Sequence, residues 1–159
     1  MKKYALVALF AVAVFGMAFA ATTQSGPASI SGLAAEVFSL TVPGTYMGTI
    51  ANGSTAETWN LGIITVNSNV RNWQLSVSSA NSGYLVNTAD NTEKIAYTIT
   101  VAYLDITDWS LSRVAVSPPQ PRTSKTGNIY PVQLKFGPSA DYYQAGTYGD
   151  TLTVTISHN

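Results

Sequence analysis

The run from Tyr148 to Ser157 constrains the fold more than any other stretch of this chain. Tyr148, Asp150, Leu152, Val154 and Ile156 share one parity, and Gly149, Thr151, Thr153, Thr155 and Ser157 share the other. Successive side chains of a strand point to opposite faces, so one face is largely apolar and the other hydroxylated, as in a half-buried antiparallel strand. The expected strand covers Ala145 to Ser157. Gly146 supplies the turn before it, and Tyr148 stands where sandwich folds place a tyrosine corner, its ring packed and its hydroxyl returned to backbone. The sheets that this strand joins must come from the chain upstream.

Ala28, Ile30, Gly32 and Ala34 alternate, the pattern breaks at Glu36, and Phe38, Leu40 and Val42 resume it before Pro43-Gly44. Two extended pieces follow: Glu36 to Val42 as a first core strand, and the earlier piece as a lighter strand or an arm. From Thr58 to Asn67, Trp59, Leu61 and Ile63 hold one parity and Ile64 and Val66 the other, which predicts a bulge near Ile63. Arg71 to Ser79, with Trp73, Leu75 and Val77 inward, is expected to pair with that strand as a hairpin, with Trp59 or Trp73 anchoring the core. Residues 80 to 93 read as a loop in which Tyr84-Leu85-Val86 lies over the sandwich. Lys94 to Leu104 is the clearest interior strand. Asp105 to Val116 fits a weak strand and a turn equally well. Ser117 to Gly127 carries three prolines, which remove donors, and reads as an exposed, protease-accessible loop. Tyr130, Val132, Leu134 and Phe136 form the next strand. Seven to eight strands without an amphipathic helix predict an all-β, immunoglobulin-like antiparallel β-sandwich.

Lys2 and Lys3, an apolar run from Ala5 to Phe15 and the Ala18-Phe19-Ala20 site predict a signal peptide over 1–20. About 140 residues remain after cleavage, enough for one domain with a single core, with 21–34 as an N-terminal extension and 35–159 as the sandwich. The expected location is secreted, in a periplasm or on a cell surface, with no membrane span once the leader is removed. Charged residues make up 10% of the chain, against about 25% in ordinary domains, so no basic face exists for nucleic acid. With no cysteine, no disulfide staples the exported domain.

Catalytic chemistry finds little footing. The one histidine, His158, sits beside the C-terminus, which argues against a Ser-His-Asp arrangement, and without cysteine a structural zinc site lacks ligands. Asp105 with Asp108, and Asp141 with Asp150, are the carboxylate pairs to weigh for glycoside hydrolysis, and turn or cap roles suit them better. Asp90, Asp105, Asp108 and Asp141 lack the spacing of a calcium loop. No enzyme activity, metal or cofactor is expected. Trp109, Tyr142 and Tyr143 are the candidate ligand-contacting aromatics, and only one of the adjacent tyrosines is expected to be buried. Asn52-Gly-Ser is a formal glycosylation acceptor.

The segment Tyr143-Gln-Ala-Gly-Thr-Tyr-Gly-Asp-Thr-Leu-Thr-Val-Thr-Ile resembles the terminal strand of spore coat protein U and other chaperone-usher pilin-like subunits. Lys94-Ile-Ala-Tyr-Thr-Ile is similar to the strand that follows their first hairpin. The resemblance implies an immunoglobulin-like domain lacking its final strand, the gap being filled by an N-terminal extension of the next subunit. It assigns Ala28, Ile30, Gly32 and Ala34 as the assembly donor strand and Leu152, Val154 and Ile156 as the acceptor groove. Implied partners are further copies of the chain, other surface subunits and a periplasmic chaperone. The chain departs from the pattern in having no cysteine and in a donor segment rich in Gly and Ala. Two functional expectations result: a secreted structural subunit of a fibre, pilus-like or coat assembly built by strand exchange, or a self-complemented secreted module that binds carbohydrate or protein.

Overall fold

The computed structural model describes residues 29–51 and 55–159. The signal peptide, Ala28 and the Asn52-Gly-Ser acceptor therefore lie outside the described residues. The chain divides into two compact units, Met1–Leu33 and Ala34–Asn159. The described part of the first, residues 29–33, forms no strand. The second unit is all-β and antiparallel, and no helix among the described residues is long and apolar enough to cross a membrane.

Among the described residues ten strands build two sheets around one core: β1 (Phe38–Thr41), β2 (Glu57–Ser68), β3 (Gln74–Ser79), β4 (Tyr84–Asn87), β5 (Lys94–Val101), β6 (Ile106–Ser110), β7 (Ala115–Val116), β8 (Asn128–Phe136), β9 (Tyr148–Gly149) and β10 (Leu152–Ser157). The larger sheet runs β1-β2-β8-β5-β4-β9, with β6 also on β5, and the smaller runs β10-β3-β7. The inward parities of β5 (Ile95, Tyr97, Ile99, Val101) and β8 (Tyr130, Val132, Leu134, Phe136) are buried, and Leu75 and Val77 of β3 face them. Alternating apolar side chains on both sheets thus meet in one shared interior.

Several expectations are corrected by the sheet pairing. β2 and β3 do not form a hairpin: β1 and β8 occupy the two edges of β2, while β3 enters the smaller sheet between β10 and β7. The chain changes sheets at residues 70–72, where Asn72 takes a positive φ of 60°, and Trp73 then plugs the core with 0% exposure. Its indole N–H donates to the carbonyl of Pro121 at 2.7 Å. The bulge expected near Ile63 is present and falls between Asn60 and Gly62, with Leu61 as the extra residue and Gly62 at φ 121°. Tyr84-Leu85-Val86 belongs to a true strand, β4, paired with β5 and β9, because Leu85 and Asn87 face inward and bury. Residues 105–116 resolve into two short strands on opposite sheets, with Leu111 buried at the crossing.

The proline-bearing stretch is an edge rather than a free loop. Gln120 bridges to Trp73, and the Ser117 hydroxyl accepts from the Leu75 N–H at 3.0 Å while the Ser117 N–H donates to the Leu75 carbonyl at 2.8 Å. The closing strand is not continuous: β9 pairs with β4, and after Asp150-Thr151 the chain continues as β10 on β3. Tyr148 behaves as the expected corner, its ring half-buried against the core and its hydroxyl donating to the Gln144 carbonyl at 2.9 Å.

Candidate functional site

Burial falls away toward one side of the sandwich. The inward residues of β5 and β8 are fully covered, whereas Phe38 and Leu40 of β1, Trp59 and Leu61 of β2, and Leu152, Val154 and Ile156 of β10 are only half-buried. The cause lies in the topology: β1 is hydrogen-bonded to β2 alone and β10 to β3 alone, so each leaves one edge without a strand partner among the described residues. Beside β10 lies an apolar groove of about 580 Å³. Residues 42–46 form one wall and residues 148–154 the other, and Trp59, Leu61, Ile64, Ile99 and Leu134 lie beneath.

At the foot of the two edges, His158 Nε2 lies 3.2 Å from Glu36 Oε1, and the His158 ring meets Phe38 edge-on with centroids 4.7 Å apart. His158 is thereby tied to the start of β1 rather than fraying. At the upper end, Asp150 is a hydrogen-bond hub. Its Oδ2 accepts from the Ser79 hydroxyl at 2.5 Å and the Tyr97 hydroxyl at 2.6 Å. Its Oδ1 accepts from the N–H groups of Asn81 at 3.0 Å and Thr151 at 2.6 Å. Ser79 Oγ in turn accepts from the Gly83 N–H at 2.7 Å. One inward carboxylate is thus satisfied by donors from β3, β5 and the turn into β4, at the point where the chain passes between sheets. Burial, and then the hydrogen bond to Asp150, push the Tyr97 hydroxyl well above the ordinary tyrosine range.

The structure places the sequence-derived acceptor residues at this groove: Leu152 and Val154 line it, and Ile156 continues the same half-buried face toward its foot. Of the donor residues within the description, Ile30 is 97% exposed, Gly32 has open space where a side chain would stand, and Ala34 is exposed. The aromatics divide. Tyr142 is 87% exposed, Tyr143 is half-buried against the core, and half-buried Trp109 carries the Arg113 guanidinium 4.9 Å from its ring centroid.

Two of the carboxylate candidates have local roles: Asp108 reaches Lys135 Nζ at 3.9 Å and Asp150 serves the hub, while Asp141 donates its backbone N–H to Ser139 Oγ. Asp90 Oδ1 accepts from the Thr92 hydroxyl and N–H, which hold that carboxyl below its usual range. No group of three metal-ligating side chains occurs among the described residues. Sequence reasoning missed the wall at residues 42–46, which lacks alternation, and the role of Asp150. The signal for Asp150 was a single carboxylate on an inward parity between Tyr148 and Leu152, since such a group must find donors.

Comparison with known proteins finds no matching family model and no significantly similar curated protein.

Proposed function

We propose that this chain is a secreted structural subunit whose sandwich, of immunoglobulin-like type without its final strand, is completed by a strand from a neighbouring copy. The observation that carries the reading is the apolar groove between residues 42–46 and β10, whose edge away from β3 has no strand partner among the described residues. An added strand satisfies free backbone groups along β10 and sets alternate side chains into the groove, which is strand addition of the general kind used in peptide recognition. The occupant is residues 28–34 of a second copy. At about 3.3 Å per residue this segment spans roughly 23 Å, against roughly 20 Å for the six residues of β10. It is also uncharged, as suits an apolar groove.

The carbohydrate-binding alternative rests on Trp109, Tyr142 and Tyr143, of which Tyr142 is exposed and the other two are half-buried. The test is light scattering after size-exclusion chromatography, with negative-stain microscopy, on protein from Ala21 with and without residues 21–34. Heat-resistant oligomers or filaments that disappear with the deletion are expected. A deletion variant that fails to fold, beside a parent that stays monomeric, sinks the proposal.

A further inference from the structure

Of the twelve residues of β2, only Thr65 to Ser68 are paired with β1. From Glu57 to Ile64 its second edge has no strand partner among the described residues, and residues 42–50, a segment with no strand and with no backbone hydrogen bond of its own among the described residues, meet β2 at Gly62 and Trp59. Side-chain contacts hold this strap. Pro43 lies against Gly62, where an added Cβ would come within 2.8 Å of the proline ring, and the rings of Tyr46 and Trp59 are 5.5 Å apart.

The placement is not arbitrary. Thr41 pairs with Thr65, and Tyr46, five residues further, meets Trp59, six residues back along β2. That offset is the antiparallel register shifted by one residue, and the Pro43–Gly62 contact carries the same shift, as one extra residue on β2 between Gly62 and Thr65 produces. β1 stops where Pro43, which has no N–H, comes beside the bulge.

We infer that residues 42–49 are a continuation of β1, already in register but held off the ladder, which zips onto β2 when a strand fills the groove. The inference rests on the groove being a strand acceptor. The strap forms one wall of that groove, so an occupant supports its inner side, and extension of β1 then gives hydrogen-bond partners to both the strap and the open edge of β2. Filling the groove and lengthening β1 become one event. A segment fixed by so few contacts belongs to the low-stability end of a fold, which makes the rearrangement accessible.

The experiment is amide hydrogen exchange on the full chain from Ala21, with and without excess synthetic peptide of residues 26–37. The expected result is slowing of the β10 amides together with at least about tenfold slowing at residues 44–49. Slowing in β10 with an unchanged strap overturns the zipping and leaves the groove reading intact. No slowing in β10 overturns both. A Met47→Pro variant gives a second readout, because Met47 is 87% exposed and its N–H is unpaired among the described residues. The free variant should unfold at the parent's midpoint, bind the peptide about tenfold more weakly and show no strap protection. Peptide binding as tight as the parent's refutes the inference.

Discussion

Removing the Asp150 carboxylate should destabilise the domain more than any other single change to a polar side chain described above. In Asp150→Ala four donors lose their acceptor: the hydroxyls of Ser79 and Tyr97 and the N–H groups of Asn81 and Thr151. Tyr97 is 3% exposed, so its hydroxyl bears the cost of an unsatisfied buried donor, about 1 to 3 kcal/mol. The Ser79 hydroxyl and the two amides are nearer solvent and add about 0.5 kcal/mol each once water replaces the carboxylate. The expected total is about 2.5 to 4.5 kcal/mol. Asp150→Asn keeps the shape and one acceptor oxygen but turns an NH₂ group toward two hydroxyls, for an expected loss of about 2 kcal/mol. Urea unfolding followed by tryptophan fluorescence and circular dichroism measures both, with the slope m held near the parent's. A double-mutant cycle with Tyr97→Phe should return a coupling of about 1 kcal/mol or more. A loss below about 1 kcal/mol for Asp150→Ala refutes the reasoning, because the hub would then be solvated.

Tyr97 also makes stability depend on alkaline pH. Its folded value lies above the unfolded value near 10, so the unfolded chain releases the proton first. Stability from this group is complete below about pH 10 and is lost as pH rises beyond it. Tyr97→Phe should flatten that part of a stability-against-pH curve, as seen in unfolding midpoints from pH 9 to 11. Trp73→Phe should cost about 2 to 3 kcal/mol in urea unfolding, since it leaves a void at a fully buried site and orphans the Pro121 carbonyl. Gly62→Ala should cost about 1 to 2 kcal/mol, because φ is 121° and the new Cβ meets Pro43. Val154→Arg should cost less than about 1.5 kcal/mol, as the guanidinium can reach water through the groove, yet it should abolish oligomers in light scattering.

Alternation made the strands legible where one face is buried and the other wet. Residues 94–101 and 130–136 show it most plainly, and Phe38 and Leu40 mark β1 although only four residues of it pair. Periodicity says that a residue lies in a strand and which way it points, and it does not say which strand lies alongside. That is why β2 and β3 read as a hairpin: both alternate and a short polar turn joins them, but Trp73 draws the chain into the other sheet. β4 escaped notice because three apolar or aromatic residues among Asn, Ser and Asp leave little pattern, and its strand character comes from β5 and β9 on either side. The half-buried face of β10 was legible as Leu152, Val154 and Ile156. The groove was not, because an unpaired edge depends on which strands are missing from a sheet and no local sequence encodes that.

The two ends of the smaller sheet differ in kind. Beyond β3 on one side run residues 115–121, joined to it through Ser117 and Gln120 and bearing Pro118, Pro119 and Pro121, which have no N–H to offer a newcomer. On the other side β10 presents six residues, none of them proline, whose outward N–H and C=O groups alternate toward an arriving chain. The sheet is therefore capped like a polymer with one dead terminus and one living one. If a neighbouring strand is taken up as proposed, the smaller sheet can accept it along β10, while the prolines at its other margin disfavour a second addition there.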